Sequence, residues 1–477
     1  SLDAGTAEFL RANHVRAACL FRQNMVDAAQ LTRFTSSLRE AMGPQALIAL
    51  DQEGGAVVRS TWVPAPPAAM TLGAADDPGL ARAVGAAVAR AVKALGFNWN
   101  FAPVLDLNNN PHNPVIAERS FGADPKRATE IAMAWMAGSE SEGVACCVKH
   151  FPGHGDTHVD SHRDLPVVDK SLDELRALEL LPFAALKDEA PAMMTAHIVY
   201  PQLDTEHPAT LSRRILGGLL REEMGYDGVV ITDSLVMNAI HERYGHHRAA
   251  VLTLAAGADM AMALGSQADQ GAALQSIAAA QADGTLPRRR LAEACARLDA
   301  LARRFPSQAA HYPQPVRAHD DVLMRQAWAA GLTLVGDAHR PRRDDPLRVF
   351  TQDGVPSDGV SEAGLAGDDV ARLFAGFGDV EVVRVSDLRQ LDWARVPRDG
   401  RRTLLASNHR ERYDPRSRGW RPDLHLALWN PFQVFDVSAP AVVTWGYAPG
   451  ALDALRAWLE GRGDAPGRSP VRLARAP

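Results

Sequence analysis

Gly228-Val229-Val230-Ile231-Thr232-Asp233-Ser234 is a short, β-branched apolar run that closes on a carboxylate. Its length and its lack of polar alternation read as a strand covered on both faces. Similar runs lie at 16–21, 46–50, 97–105, 144–149, 192–196 and 258–263. Ala-rich helical patterns separate them, at 78–95, 125–142, 171–189 and 212–224. Strand–helix alternation predicts an α/β fold with a parallel sheet and helices outside it. Seven runs within residues 1–306 predict an N-terminal (β/α)8 TIM-type barrel, with an open doubly wound sheet as the alternative. No Gly-x-Gly-x-x-Gly follows the first run, which weakens a dinucleotide-binding reading.

The polar residues decide between the two. Asp51 follows the second run and Asp106 ends the third. Lys149 and His150 end the fourth, His197 follows the fifth, and Asp233 ends the sixth. In a barrel the C-terminal strand ends converge on one face, where active sites are built.

Residues 307–320 contain prolines without periodicity and read as a linker. Beyond them, runs at 332–335, 347–350, 380–385, 403–406, 425–429 and 441–445, with a helix at 451–460, predict a smaller C-terminal α/β sandwich domain over 321–477. The net charge of −6 over 477 residues gives no reason to expect a nucleic-acid or membrane partner. The four cysteines, Cys19, Cys146, Cys147 and Cys295, form no disulfide framework or zinc spacing and are expected to be buried, reduced thiols. With no signal-like start and no apolar run of spanning length, the expected location is cytoplasmic, with secretion after processing as the alternative.

The most informative stretch is Lys149-His150-Phe151-Pro152-Gly153-His154-Gly155-Asp156-Thr157-His158-Val159-Asp160-Ser161-His162. Its glycines and proline exclude a helix, so it is a loop over the barrel mouth. Four histidines recur at every fourth position, which on a helix would suggest a metal; the broken backbone removes that reason, and no metal or cofactor is expected. Acid/base work fits better. Asp160 and His162 are two residues apart, close enough for the carboxylate to fix the tautomer of the imidazole and stabilise its charged form. Asp233, delivered by a buried strand, could attack an anomeric carbon or cap a following helix.

These motifs resemble family 3 glycoside hydrolases, in the β-N-acetylhexosaminidase branch. Lys-His-Phe-Pro-Gly-His-Gly with the later Asp-Ser-His is similar to the family signature. Asp51-Gln52-Glu53-Gly54-Gly55 with Arg59, Phe101 to Asp106, Arg119-Ser120-Phe121-Gly122, Met194 to Ile198 and Ile231-Thr232-Asp233 follow in family order. The resemblance implies Asp233 as nucleophile, His162 with Asp160 as acid/base, and Asp51, Arg59, Arg119, Lys149, His150 and His197 around the sugar. It implies a retaining glycosidase that releases terminal β-linked N-acetylglucosamine from cell-wall fragments or chito-oligosaccharides. Departures occur at Ala56, Ala117 and Ser234, where the family often has Arg, Gly and Asp. The alternatives are a phosphorylase or β-glucosidase using the same site, a metal-dependent hydrolase, and a non-catalytic sugar-binding protein.

Overall fold

The structure is a computed structural model that describes residues 2–161 and 164–473. In the first domain the strands are β1 (Ala17–Cys19), β2 (Leu47–Leu50), a hairpin of β3 (Gln52–Gly54) and β4 (Val57–Val58), β5 (Trp99–Asn100), β6 (Ala145–Cys146), β7 (Val148–Phe151), β8 (Ala192–Thr195) and β9 (Val229–Thr232). The hairpin apart, they pair in parallel and in chain order, as β1-β2-β5-β6 and β7-β8-β9. Cys147 alone separates β6 from β7, and an isolated Ile231–Met260 bridge continues the series.

Side-chain alternation explains why the runs lack a polar face. Leu47, Ala49, Trp99, Phe101, Ala145, Cys147, Ala192, Met194, Val229 and Ile231 share one buried cluster. The intervening Ile48, Leu50, Cys146, Val148, Met193 and Val230 belong to another, with the helices. In β2, β6, β8 and β9 one face thus packs in the cluster shared by the strands and the other with the helices, the two-layer burial of a barrel-like sheet. Among the described pairings none joins the last segment back to β1, so the structure gives a TIM-like domain without demonstrating a closed eight-stranded ring.

The helices start where capping chemistry allows. Asp77 accepts from the N–H groups of Gly79 and Leu80 at the head of Pro78–Ala94, and Asp124 from that of Arg127 at the head of Pro125–Ser141. These two helices touch closely because a Cβ on Gly138 would stand 2.0 Å from the carbonyl oxygen of Arg82. The helix expected over 171–189 is broken into Leu172–Ala177 and Leu180–Leu186, the chain turning out of helical geometry at Leu178.

The second domain has strands β10 (Thr333–Val335), β11 (Leu347–Gln352), β12 (Val380–Val385), β13 (Arg402–Ser407), β14 (Leu424–Ala427) and β15 (Ala441–Val443). They form one sheet in the order β10-β15-β14-β13-β11-β12, parallel except for β10. Val349, Leu404, Leu426 and Trp458 pack on one face, and Phe350, Leu405, Tyr413 and Trp420 on the other.

The structure corrects two expectations. The stretch 307–320 does not stay irregular: Pro313 and Pro315 open a helix, Gln314–Gly331, because proline is well tolerated in a first helical turn. That helix ties the domains together. Asp320, fully buried, accepts from Arg90 through Nε (3.1 Å) and Nη2 (2.7 Å) and from the Tyr312 hydroxyl (2.9 Å). The thiols are not all buried: Cys146 and Cys147 are, Cys19 is partly covered, and Cys295, on a helix face, is exposed. Among the described residues no helix is long and apolar enough to cross a membrane.

Removing one member of a buried ion pair leaves the other uncompensated. Asp320→Ala is therefore expected to cost on the order of 3 kcal/mol, read as a lowered midpoint of urea or thermal unfolding. A midpoint equal to that of the wild type would show that Arg90 finds full compensation in Glu142.

Candidate active site

Asp51 leaves the end of β2 directly into the β3/β4 hairpin, and the strand period of two sends Glu53 to the same side. The hairpin is clamped by Gln52, whose side-chain oxygen accepts from the N–H groups of Arg59 (3.0 Å) and Ser60 (3.1 Å) while its amide donates to Ser60 O (3.0 Å). Only glycine serves at 54: φ is +116° and a Cβ would stand 2.1 Å from Pro67 O. Arg59 thereby returns beside Asp51.

Lys149 lies buried within β7, not at the end of a strand as expected, its carbonyl accepting from Leu105 N at 2.6 Å. Its ammonium stands 2.7 Å from both Asp51 Oδ1 and Glu53 Oε1. Arg119 meets Glu53 through two hydrogen bonds, Nε to Oε2 and Nη2 to Oε1, each 2.8 Å. Arg59 Nη2 lies 3.7 Å from Asp51 Oδ2. Cations and carboxylates thus alternate through one buried network. Burial alone would neutralise Glu53, but Arg119 and Lys149 overcome it and hold the carboxyl far below its usual range. Burial likewise opposes the charge on Lys149, yet Asp51 and Glu53 raise its pKa.

Ala117 sits at φ +39°, in left-handed space that suits glycine. Asn108 holds it by donating to the Ala117 carbonyl at 2.9 Å, which keeps the turn that aims Arg119.

The histidine loop is anchored from beneath by Asp106. One of its oxygens takes the N–H groups of His150 (3.1 Å) and His154 (2.6 Å), and the other meets His150 Nδ1 at 2.6 Å. His154 lies between Ser161 Oγ (3.0 Å, at Nε2) and Thr157 Oγ1 (2.9 Å, at Nδ1). Burial, and then the neighbouring His150, push its pKa down to about 4, so it is neutral at neutral pH. A neutral ring offers one donor and one acceptor, matching two hydroxyl partners.

Asp233 follows β9. Its N–H donates to Thr195 O at 3.3 Å, and its Oδ1 accepts from Ser234 N at 2.7 Å. His197 stands behind it. Its Nε2 lies 2.9 Å from Ser234 O, which can only accept, so Nε2 carries the proton; Nδ1 faces the Thr210 hydroxyl at 2.8 Å.

A cavity of about 320 Å³ is lined by Asp51, Glu53, Arg59, Arg119, Lys149, His150 and Asp233, with Phe21, Phe101, Met194, Met237 and Met262 as apolar walls. That is at the small end of ligand sites, roughly 300–1,000 Å³. Six of the nine expected residues meet there. His197 is not among the lining residues; its two ring nitrogens face Ser234 O and the Thr210 hydroxyl, beside the segment after Asp233. Asp160 is described, its carbonyl accepting from Asp164 N at 3.1 Å, but it is not part of the cavity wall. His162 lies outside the described residues. Sequence reasoning passed over Glu53 and Asp106 as site residues although both stood in quoted motifs. Among the described residues no group of three or more His, Cys, Asp or Glu is placed to hold a metal ion.

Residues 2–301 match the model of the glycosyl hydrolase family 3 N-terminal domain. The chain belongs to glycosyl hydrolase family 3. Over 389 residues it is 37% identical to β-hexosaminidase A of Pseudoalteromonas piscicida, covering 76% of this chain and 62% of that protein. It thus spans less than two thirds of that relative's length. It is 38% identical over 281 residues to a β-hexosaminidase of Pseudomonas aeruginosa (strain LESB58), covering 58% of this chain and 83% of the relative. Among solved structures, a family 3 β-N-acetylglucosaminidase from Paenibacillus sp. str. FPU-7 superposes with a TM-score of 0.86 at 30% identity, over 99% of this chain and 95% of that one.

His154 gives the pH dependence a sign. Its folded pKa of about 4 lies below the unfolded value near 6.5, so the unfolded chain takes up the proton first as pH falls. The contribution is complete above pH 6.5 and is lost as pH falls toward about 4. The melting temperature of His154→Asn is expected to fall less steeply than that of the wild type over this window. Parallel slopes would contradict the shift.

Proposed function

We propose that this enzyme is a retaining β-N-acetylhexosaminidase that removes terminal β-linked N-acetylglucosamine from cell-wall fragments or chito-oligosaccharides. The observation that carries the reading is the position of Asp233: a strand-end carboxylate on the wall of a small cavity whose other walls hold the Asp51–Lys149–Glu53–Arg119 network. A cavity of this size suits one terminal sugar ring. The choice of an acetamido sugar is supported by the relatives named β-hexosaminidase and β-N-acetylglucosaminidase.

In the proposed reaction Asp233 attacks C1 while the His162 imidazolium protonates the departing oxygen, giving a glycosyl-enzyme and a free aglycone. The neutral His162 then takes a proton from water, which attacks C1 and frees Asp233 with the β configuration restored. Asp160 holds the His162 tautomer. Lys149 and Arg119 donate to sugar oxygens, and Asp51 accepts from hydroxyls. Histidine suits both acid and base work at neutral pH because a free imidazole titrates near 6.5, whereas a carboxylic acid in that role needs an upward shift.

The test is release of nitrophenol from the aryl N-acetyl-β-glucosaminide and β-glucoside, with and without phosphate. Asp233→Ala is expected to lower kcat by on the order of 10⁴-fold or more. His162→Ala is expected to lose about 10²–10⁴-fold on substrates with poor leaving groups and far less on activated aryl glycosides. Turnover of the glucoside alone would overturn the choice of sugar, acceleration by phosphate would move the reaction to phosphorolysis, and equal loss on both leaving groups would remove His162 from the acid/base role.

A further inference from the structure

We propose that the second domain completes the sugar pocket, through a strap at 358–362 in which Glu362 is the positioning residue for Arg59. The inference rests on the reading that this cavity takes the sugar. Gly359 and Val360 line the cavity beside the first-domain residues. Arg59 Nη1 donates to Val360 O at 2.8 Å and to Glu362 Oε1 at 3.2 Å. Arg59 is therefore stretched between a carboxylate of each domain, Asp51 on one side and Glu362 on the other, with 7% of its surface exposed.

The strap is held too firmly to be an incidental neighbour. Glu362 N donates to Ala56 O, in the β3/β4 hairpin, at 2.9 Å, and the Tyr447 hydroxyl donates to Glu362 O at 3.0 Å. Asp358 Oδ1 accepts from the N–H groups of Val360 (2.9 Å) and Ser361 (2.6 Å). Arg410 Nη1 reaches Asp358 Oδ2 and Ser361 Oγ, both at 2.9 Å, while its Nη2 donates to Val115 O at 2.5 Å. Val115 O also accepts from Arg119 Nη1 at 3.1 Å. The second domain thus bears on both arginines of the pocket, on Arg59 directly and on Arg119 through a shared carbonyl.

The physical consequence concerns Asp51. That carboxylate already faces Lys149 at 2.7 Å. Without Glu362, the Arg59 guanidinium has one carboxylate left within reach and turns toward it. Asp51 then divides its acceptor capacity between two cations and offers less of it to sugar hydroxyls. Such an effect weakens sugar binding in ground and transition states alike, so it falls on KM and not on kcat.

The experiment compares wild type, Glu362→Ala and Glu362→Gln in the full chain, with the aryl N-acetyl-β-glucosaminide and with free N-acetylglucosamine as competitor. Glu362→Ala is expected to raise KM and the inhibition constant together by about tenfold or more, with kcat within about twofold, and Glu362→Gln, which keeps an acceptor, to recover most of the loss. Unchanged KM in Glu362→Ala, or a lowered melting temperature with unchanged KM, would reduce the strap to a domain fastener and overturn the proposal. A crystal structure of Glu362→Ala reads the positioning without substrate: Arg59 displaced toward Asp51 supports it, and Arg59 unmoved overturns it. If the wild type prefers another aryl glycoside, the acetamido reading fails, and the same KM comparison on that sugar judges the strap.

Discussion

Lys149 is an ammonium with 2% of its side chain exposed, and it remains charged because Asp51 and Glu53 stand within hydrogen-bond distance. An ion buried without a partner would lose its proton or expel the chain that carries it. Everything around the cavity serves that constraint. The Gln52 clamp and the turn at Gly54 bring both carboxylates of the hairpin to one side. Arg119 occupies the second edge of Glu53, so the carboxylate faces two cations and both of its oxygens accept. The network is preorganised: its charges hold one another in fixed positions, which is the condition for strong electrostatic work in a closed site.

The same constraint explains why the two domains pack so closely. A positive group at the rim, Arg59, needs a second acceptor once Asp51 is committed to Lys149, and the second domain provides it at Val360 and Glu362. The helix Gln314–Gly331 and the apolar contact of Met70 and Ala74 with Phe432 and Trp445 hold that domain in register. Interdomain surfaces of this apolar kind resist relative motion.

The repeating strand–helix order, the convergence of Asp51, Lys149, His150 and Asp233, and the second α/β sheet were legible in the chain because burial on both faces leaves uninterrupted apolar runs. The helix that begins within 307–320 was not legible because prolines that open a helix look like prolines that prevent one. Glu53 was within reach of the same reasoning, since alternate residues of a hairpin share a side. His197 was not: whether an imidazole faces a cavity or a carbonyl depends on Thr210 and Ser234, which local pattern does not place.

By itself the sequence determined that Asp51 and Asp233 follow strands directly, since each closes an apolar run, whereas Lys149 and His150 lie within β7 and Asp106 lies beyond the end of β5. It also determined the family, through motifs kept in order along the first domain. Only the tertiary structure decided how those groups share their charges. The partner of Arg59 lies 303 residues further on, and the anchor of His150 lies 44 residues before it. Ion pairing depends on distances of a few ångströms through space, and no spacing along the chain encodes a contact between separate domains.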